Sequence, residues 1–157
     1  MSEPLLELLP RLTQLSTTLS RGQLYERATA TAGVSLERPS MTILVVLATA
    51  GEPLRIGRIA EQMQVAGPHV TRHVQGLEHR RLVERVVDPG DQRARLIALT
   101  AAGRAVTDRY LSAVSGWFTG ALAGWTAEDR SELTRLLGRM VDDLGDHLTA
   151  LEDAESS

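Results

Sequence analysis

Ile59-Ala60-Glu61-Gln62-Met63-Gln64-Val65-Ala66-Gly67-Pro68-His69-Val70-Thr71-Arg72-His73-Val74-Gln75-Gly76-Leu77 decides the fold. Gly57–Met63 fits a short helix with Ile59, Ala60 and Met63 on its apolar face, and Gln64–Gly67 makes a tight turn. Pro68 opens a second helix running to about Arg81. Val70, Val74 and Leu77 share its inner face, while Pro68, Thr71, Arg72, Gln75 and His79 fall opposite at helical spacing. Two such helices form a helix-turn-helix, in which the second enters the major groove of DNA and the first braces it across the backbone. Arg72 can then take guanine O6/N7 in bidentate fashion and Gln75 adenine N6/N7. Thr71 and His69 can contact a base edge or a phosphate. The bland alternative is an amphipathic helix with a solvated polar face.

The next residues argue against that alternative. Leu82–Val87 is rich in β-branched residues, Asp88-Pro89-Gly90-Asp91 is turn chemistry, and Ala94–Leu99 is a return strand. The hairpin carries Arg93 and Arg95 near its tip, where a thin ribbon can reach the strongly negative minor groove. Asp91 is read as a turn-former and as an anchor that orients an Arg. A merely solvated charged loop is the competing reading.

Farther out the pattern is helical. Leu5, Leu8, Leu9, Leu12, Leu15 and Leu19 place one helix over 4–32, limited or kinked by Pro10 and ended at Gly33. A further helix fits Pro39–Thr49. Thr100 caps a helix from Ala101 to about Leu122, and Thr126 with Asp129 forms a capping box. The helix it opens carries Leu133, Leu136, Leu137, Met140, Val141, Leu144, Leu148 and Leu151 on one long stripe, which must be buried against a partner helix. The polar tail Glu152–Ser157 is expected to fray.

The net charge of -3 conceals an asymmetry. Residues 1–54 hold 4 Arg and 5 acids, residues 55–104 hold 9 Arg and 5 acids, and residues 105–157 hold 4 Arg and 10 acids. A basic centre between acidic flanks suits a polyanion-binding lobe on a scaffold that meets something else. Every basic side chain other than histidine is Arg, whose planar fork suits phosphate and guanine edges. The absence of Cys excludes disulfides, thiolate metal sites and thiol redox sensing. No apolar run reaches the roughly 18 residues of a membrane span, and no signal peptide is visible, so a cytoplasmic protein is expected. Enzyme chemistry finds no phosphate loop, nucleophile elbow or clustered Ser/His/Asp set. His69 and His73 have the i, i+4 spacing of metal ligands, but there is no His-Glu-x-x-His pattern and a metal here would occupy the groove-facing region. No metal and no cofactor are expected.

The stretches Ile59-Ala60-Glu61-Gln62-Met63-Gln64-Val65, Val70-Thr71-Arg72, Leu77-Glu78, Leu82-Val83-Glu84-Arg85, Asp88-Pro89-Gly90-Asp91-Gln92-Arg93-Ala94 and Leu99-Thr100-Ala101-Ala102-Gly103 resemble the MarR (multiple antibiotic resistance regulator) family. The resemblance implies a mainly α fold with a small β-wing, in a single domain over 1–157. A winged helix-turn-helix lobe at 38–100, with its recognition helix at about 67–81 and wing at about 83–99, lies between dimerisation helices at 4–37 and 101–151. It implies a homodimer that reads a pseudo-palindromic operator on double-stranded DNA, most simply as a ligand-responsive repressor. The effector site would lie where helices 4–32, 39–49 and 101–122 meet the DNA-binding lobe. Tyr25, Arg38, Met41, Tyr110 and Trp117 are the candidates to line it, and a small anionic aromatic is the fitting ligand. Two residues depart from the family pattern: Ala66 stands where a Ser often caps the recognition helix, and Arg81 where a Gly often ends it. The rival from another class is a winged-helix protein-interaction module without DNA binding, against which Arg72, Arg93 and Arg95 argue.

Overall fold

The computed structural model describes residues 3–20 and 22–155. Among these, seven helices flank and carry one hairpin: α1 Glu3–Ser20, α2 Gln23–Ala32, α3 Arg38–Ala50, α4 Ile56–Met63, α5 Gly67–His79, β1 Val83–Asp88, β2 Asp91–Leu99, α6 Ala101–Ala121 and α7 Ala127–Glu155. The fold is mainly helical with a small antiparallel wing, a winged helix-turn-helix. No helix among the described residues is long and apolar enough to cross a membrane.

The single helix expected over 4–32 is two helices. Pro10 lies inside α1 without ending it. The break comes at Gly22, whose φ of 78° is left-handed, a conformation that costs glycine almost nothing. Gly33 closes α2 as expected, its N–H bonded to Ala30 O and the N–H of Val34 to Thr29 O. At the other end the tail does not fray at Glu152: α7 runs to Glu155, and Ser156 and Ser157 lie outside the described residues.

The described residues up to Trp117 form one body, and those from Phe118 onward, the end of α6 and all of α7, form a second. The first has a core of Met41, Ile43, Leu44 and Leu47 from α3, Ile59 and Ala60 from α4, Val70, Val74 and Leu77 from α5, and Val83 and Ile97 from the wing strands. Leu54 pairs with Ile97 in an isolated antiparallel bridge, through Leu54 N–H to Ile97 O at 3.0 Å and Ile97 N–H to Leu54 O at 2.8 Å. This ties the base of the wing to the α3–α4 connection. Val83 pairs with Leu99 and Val87 with Arg95, and the register shifts between Val87 and Asp88, just before the turn.

One joint fixes how the wing leaves the helices. Arg81 takes a φ of 57°, so it accepts the left-handed conformation that a glycine often supplies at such a site. The turn is held on both sides: Arg81 N–H bonds Glu78 O at 2.8 Å, and Leu82 N–H bonds Leu77 O at 2.9 Å. The Thr100 hydroxyl reaches the carbonyls of Arg81 (2.8 Å) and Leu82 (3.1 Å), while its oxygen accepts the N–H of Gly103 at 3.0 Å as the cap of α6. This packs α6 directly on the Leu82 carbonyl. A Cβ at position 103 would stand 1.9 Å from that oxygen, so only glycine fits. Gly103→Ala should therefore lose about 1–3 kcal/mol of stability in urea unfolding. A change within about 0.5 kcal/mol, the range of neutral surface substitutions, would show that the contact does not exist in solution.

Candidate nucleic-acid interface

The inner face of α5 is closed: Val70, Val74 and Leu77 are buried, as their spacing predicts. The helical period then turns Pro68, His69, Arg72, Gln75 and His79 outward, and all five are exposed. Thr71 is half-buried and its hydroxyl donates to Gly67 O at 3.1 Å, leaving the oxygen lone pairs to accept from a partner. No side-chain oxygen caps the first turn, because Ala66 stands at the cap position. The guanidinium of Arg72 and the amide of Gln75 form no hydrogen bond or ion pair with the described residues, so both are available to a docked molecule.

The wing tip sorts its cations. Arg93 is exposed and its guanidinium is likewise unpaired among the described residues. Arg95 folds back on the ribbon, donating to the carbonyls of Gln92 (2.9 Å) and Ala94 (3.1 Å). Asp91 accepts the backbone N–H of Arg93 at 3.0 Å, which shapes the turn. The carboxylate that grips a guanidinium is Asp88. Its Oδ2 receives Arg55 Nε at 2.9 Å and NH2 at 2.5 Å, and its Oδ1 receives Gly90 N–H at 2.8 Å. The Gly90 amide and then Arg55 hold the Asp88 carboxyl below its usual range. Arg55 precedes α4 and lies 33 residues from Asp88, a separation at which sequence spacing offers no signal.

From its spacing His73 reads as a surface or DNA-facing side chain, with metal ligation the lesser reading, and the structure corrects the first: the ring is buried by the packing of α5 on α3. It is a core residue, 6% exposed. Its Nδ1 lies 3.1 Å from Ser40 Oγ and 3.7 Å from Glu37 Oε2, both on or beside the start of α3, while Nε2 is enclosed with no partner among the described residues. The His69 ring stands one turn back, its centroid 4.8 Å away. Burial, then His69 and Arg72, push the His73 pKa below its ordinary 6.5, and Glu37 opposes them.

A cavity of about 330 Å³ opens between α2, α3 and α6. Tyr25, Arg38, Met41 and Tyr110 all line it, with Leu19 from α1 at its edge. The Arg38 guanidinium lies 5.3 Å from the Tyr25 ring centroid, the two tyrosine rings are 5.9 Å apart, and Tyr25 Oη donates to Leu36 O at 2.6 Å. Burial raises the pKa of both tyrosines, so their hydroxyls stay protonated donors at neutral pH. Trp117 stands apart from the other four, lining a separate groove of about 520 Å³ between α2 and α6 with Arg27, Ala28 and Gly116.

Comparison with known proteins locates this geometry. The model of the MarR family matches residues 34–94. A MarR-family transcriptional regulator from Silicibacter pomeroyi is 30% identical, over 86% of this chain and 88% of that one, with a TM-score of 0.67. CouR from Rhodococcus jostii RHA1, solved with p-coumaroyl-CoA, is 24% identical over 88% of this chain and 95% of its own, with a TM-score of 0.65. A MepR variant from S. aureus, solved with an oligodeoxyribonucleotide, is 21% identical over 85% and 97%, with a TM-score of 0.55. Among curated proteins no significant match is found.

His73 gives the lobe a signed pH dependence. Below the ordinary 6.5 the unfolded chain takes up a proton that the folded lobe refuses, because the folded value is depressed. The contribution is therefore present above 6.5 and is lost as pH falls from there toward the folded value. Urea midpoints measured from about pH 7.5 to about 5.5 should fall on acidification, and more shallowly in His73→Gln. Equal slopes would remove His73 from the account.

Proposed function

The chain belongs to the MarR family of transcriptional regulators, which are not enzymes, and we propose on that premise that it acts in the cytoplasm as a homodimeric, ligand-responsive repressor on a pseudo-palindromic operator. The observation that carries the reading is the outward face of α5. Arg72 and Gln75 stand there without a hydrogen bond or ion pair to the described residues, and Arg93 stands likewise at the wing tip. Arg72 and Gln75 are assigned to base edges in the major groove, Pro68, His69 and Thr71 to the adjoining edge and backbone, and Arg93 with Arg95 to the minor groove. Asp91, by shaping the turn, orients the wing. The oligodeoxyribonucleotide bound by the MepR variant supports the same use of the shared fold. Arg72→Ala should cost about 1–3 kcal/mol of discrimination between operator and random duplex, whereas Arg93→Ala should weaken both more evenly. Electrophoretic shifts on the DNA flanking the gene measure this, and wild-type behaviour of both variants would overturn the assignment.

Homodimerisation is supported by apolar surface that a single chain leaves in water. Leu6, Leu8, Leu9 and Leu15 are exposed on α1; separately, Leu136, Val141, Leu144 and Leu148 form an exposed stripe along α7. Pairing these faces in a second copy would set the two recognition helices about 34 Å apart, one duplex turn. Light scattering should find a dimer at micromolar concentration; a monomer there would refute it.

The cavity of Tyr25, Arg38, Met41 and Tyr110 is assigned to the effector, with Trp117 in the adjoining groove. Flat aromatic walls and the Arg38 guanidinium suit a small anionic aromatic. CouR, which binds p-coumaroyl-CoA, shows that a protein of this fold can hold an aromatic acyl ligand. Calorimetry with salicylate should give heat with the wild type and weaker binding with Arg38→Ala. Silence from the wild type would reject this ligand class, and equal affinity would remove Arg38 from the site.

A further inference from the structure

Val34–Glu37, the irregular segment between α2 and α3, bonds a wall residue of the cavity on one side and the residue that follows the recognition helix on the other. Its neighbouring residues divide their partners. Leu36 O receives the Tyr25 hydroxyl at 2.6 Å, on the cavity side. Ser35 O receives Arg80 NH1 at 2.6 Å, from the residue directly after α5. Glu37 Oε2 lies 3.7 Å from Nδ1 of His73, inside α5. Arg38, which begins α3, lays its guanidinium over the Tyr25 ring. Residue 35 thus holds the end of the recognition helix, and residues 36 and 38 hold the cavity wall.

We propose that this segment is a strap through which occupation of the cavity moves the seat of the recognition helix, with Tyr25 and Arg80 as the positioning residues at its two ends. The proposal rests on the reading of the cavity as an effector site. An anion that draws the Arg38 guanidinium off the Tyr25 ring displaces the tyrosine whose hydroxyl pins Leu36. The Ser35 and Leu36 carbonyls lie in successive peptide planes that meet at the Leu36 Cα, so a displacement of Leu36 as a body carries the Ser35 carbonyl with it. Arg80 follows because its bond is charge-assisted and is the stronger for it. The Ser40–His73 bond, by contrast, joins α3 to α5 inside the core and acts as a pivot. Close-packed elements respond to such a push by shifting as bodies, which converts a small displacement in the cavity into a movement of the DNA-facing side chains.

A double-mutant cycle on DNA affinity tests the strap without needing any ligand. Tyr25→Phe, Arg80→Gln and the double variant are compared with the wild type by fluorescence anisotropy, on a duplex selected for wild-type binding. Circular dichroism confirms that each is folded, and Arg80→Met, which has no donor to give Ser35 O, serves if Arg80→Gln is not. Tyr25→Phe removes one oxygen from the cavity wall, yet it should change DNA affinity by about threefold or more, and that change should vanish once Arg80 is replaced. No change in Tyr25→Phe, or the same factor in both backgrounds, would overturn the strap. A salicylate arm keeps the two readings apart. If the wild type gives no heat with salicylate, the anionic-aromatic reading fails while the cycle still decides the strap. If salicylate binds, Arg80→Gln should retain that binding and lose its effect on DNA affinity; an undiminished effect would count against the strap.

Discussion

Burial of one side of α5 is the condition on which the rest depends. Val70, Val74 and Leu77 are removed from water against α3, α4 and the wing strands, each contributing up to about 1.5–3 kcal/mol. Because side chains advance by a fixed rotation along a helix, seating those three aims Arg72, Gln75 and His79 outward. A slip of one residue in one direction would turn Thr71, Gln75 and Glu78 toward the core, burying an amide and a carboxylate without partners at a cost of several kcal/mol. The polar face therefore has one rotation available, and readout of a base edge requires that constancy. His73 shares the buried face and is the one polar side chain α5 places there. Ser40 and Glu37 meet one ring nitrogen, so a helix otherwise held by apolar contact is also keyed to the start of α3.

The wing inherits its direction from the joint at Arg81, Leu82, Thr100 and Gly103. A left-handed residue turns the chain out of α5, and a threonine hydroxyl ties that turn to the first turn of α6. The same helix farther along supplies Tyr110 to the cavity and, through Arg109 Nε to Ala32 O at 3.1 Å, a link to α2. The joint thus sets the wing and the cavity wall together. The Arg55–Asp88 pair acts differently. Half of the arginine is in solvent, so the pair adds little to stability. It closes the wing's last turn against the residue before α4, while Arg93 stays exposed and unpaired among the described residues.

Charge follows the same division. The basic residues concentrate between 55 and 104, on the lobe that carries α5 and the wing, and the acids concentrate after residue 105. A lobe that approaches phosphates gains from the first distribution. A helix such as α7, with an apolar stripe and a strongly acidic remainder, is suited to burying that stripe against a like helix while its acids stay in water.

The parts of this protein set by local geometry were legible in its sequence. Apolar spacing gave the two faces of α5, Thr126 with Asp129 gave the capping box now seen at 3.2 and 3.1 Å, and Asp88–Asp91 gave the wing turn. Each depends on residues within one or two helical turns of one another, and periodicity reports such relations directly. Motif resemblance extended this to the winged lobe and its flanking helices. The remainder depended on partners distant in the chain. The apolar period from Leu5 to Leu19 was extended as one helix to Gly33, so the break at Gly22 was passed over and Pro10 drew the suspicion instead. His73 looked like a surface side chain until α3 brought Ser40 and Glu37 to it across more than thirty residues. The Arg55–Asp88 pair, the separation of Trp117 from the tyrosine cavity, and the division of Ser35 and Leu36 between two sets of partners have the same origin. Sequence spacing fixes which way a side chain leaves its own helix, but what it meets there is set only when the helices pack.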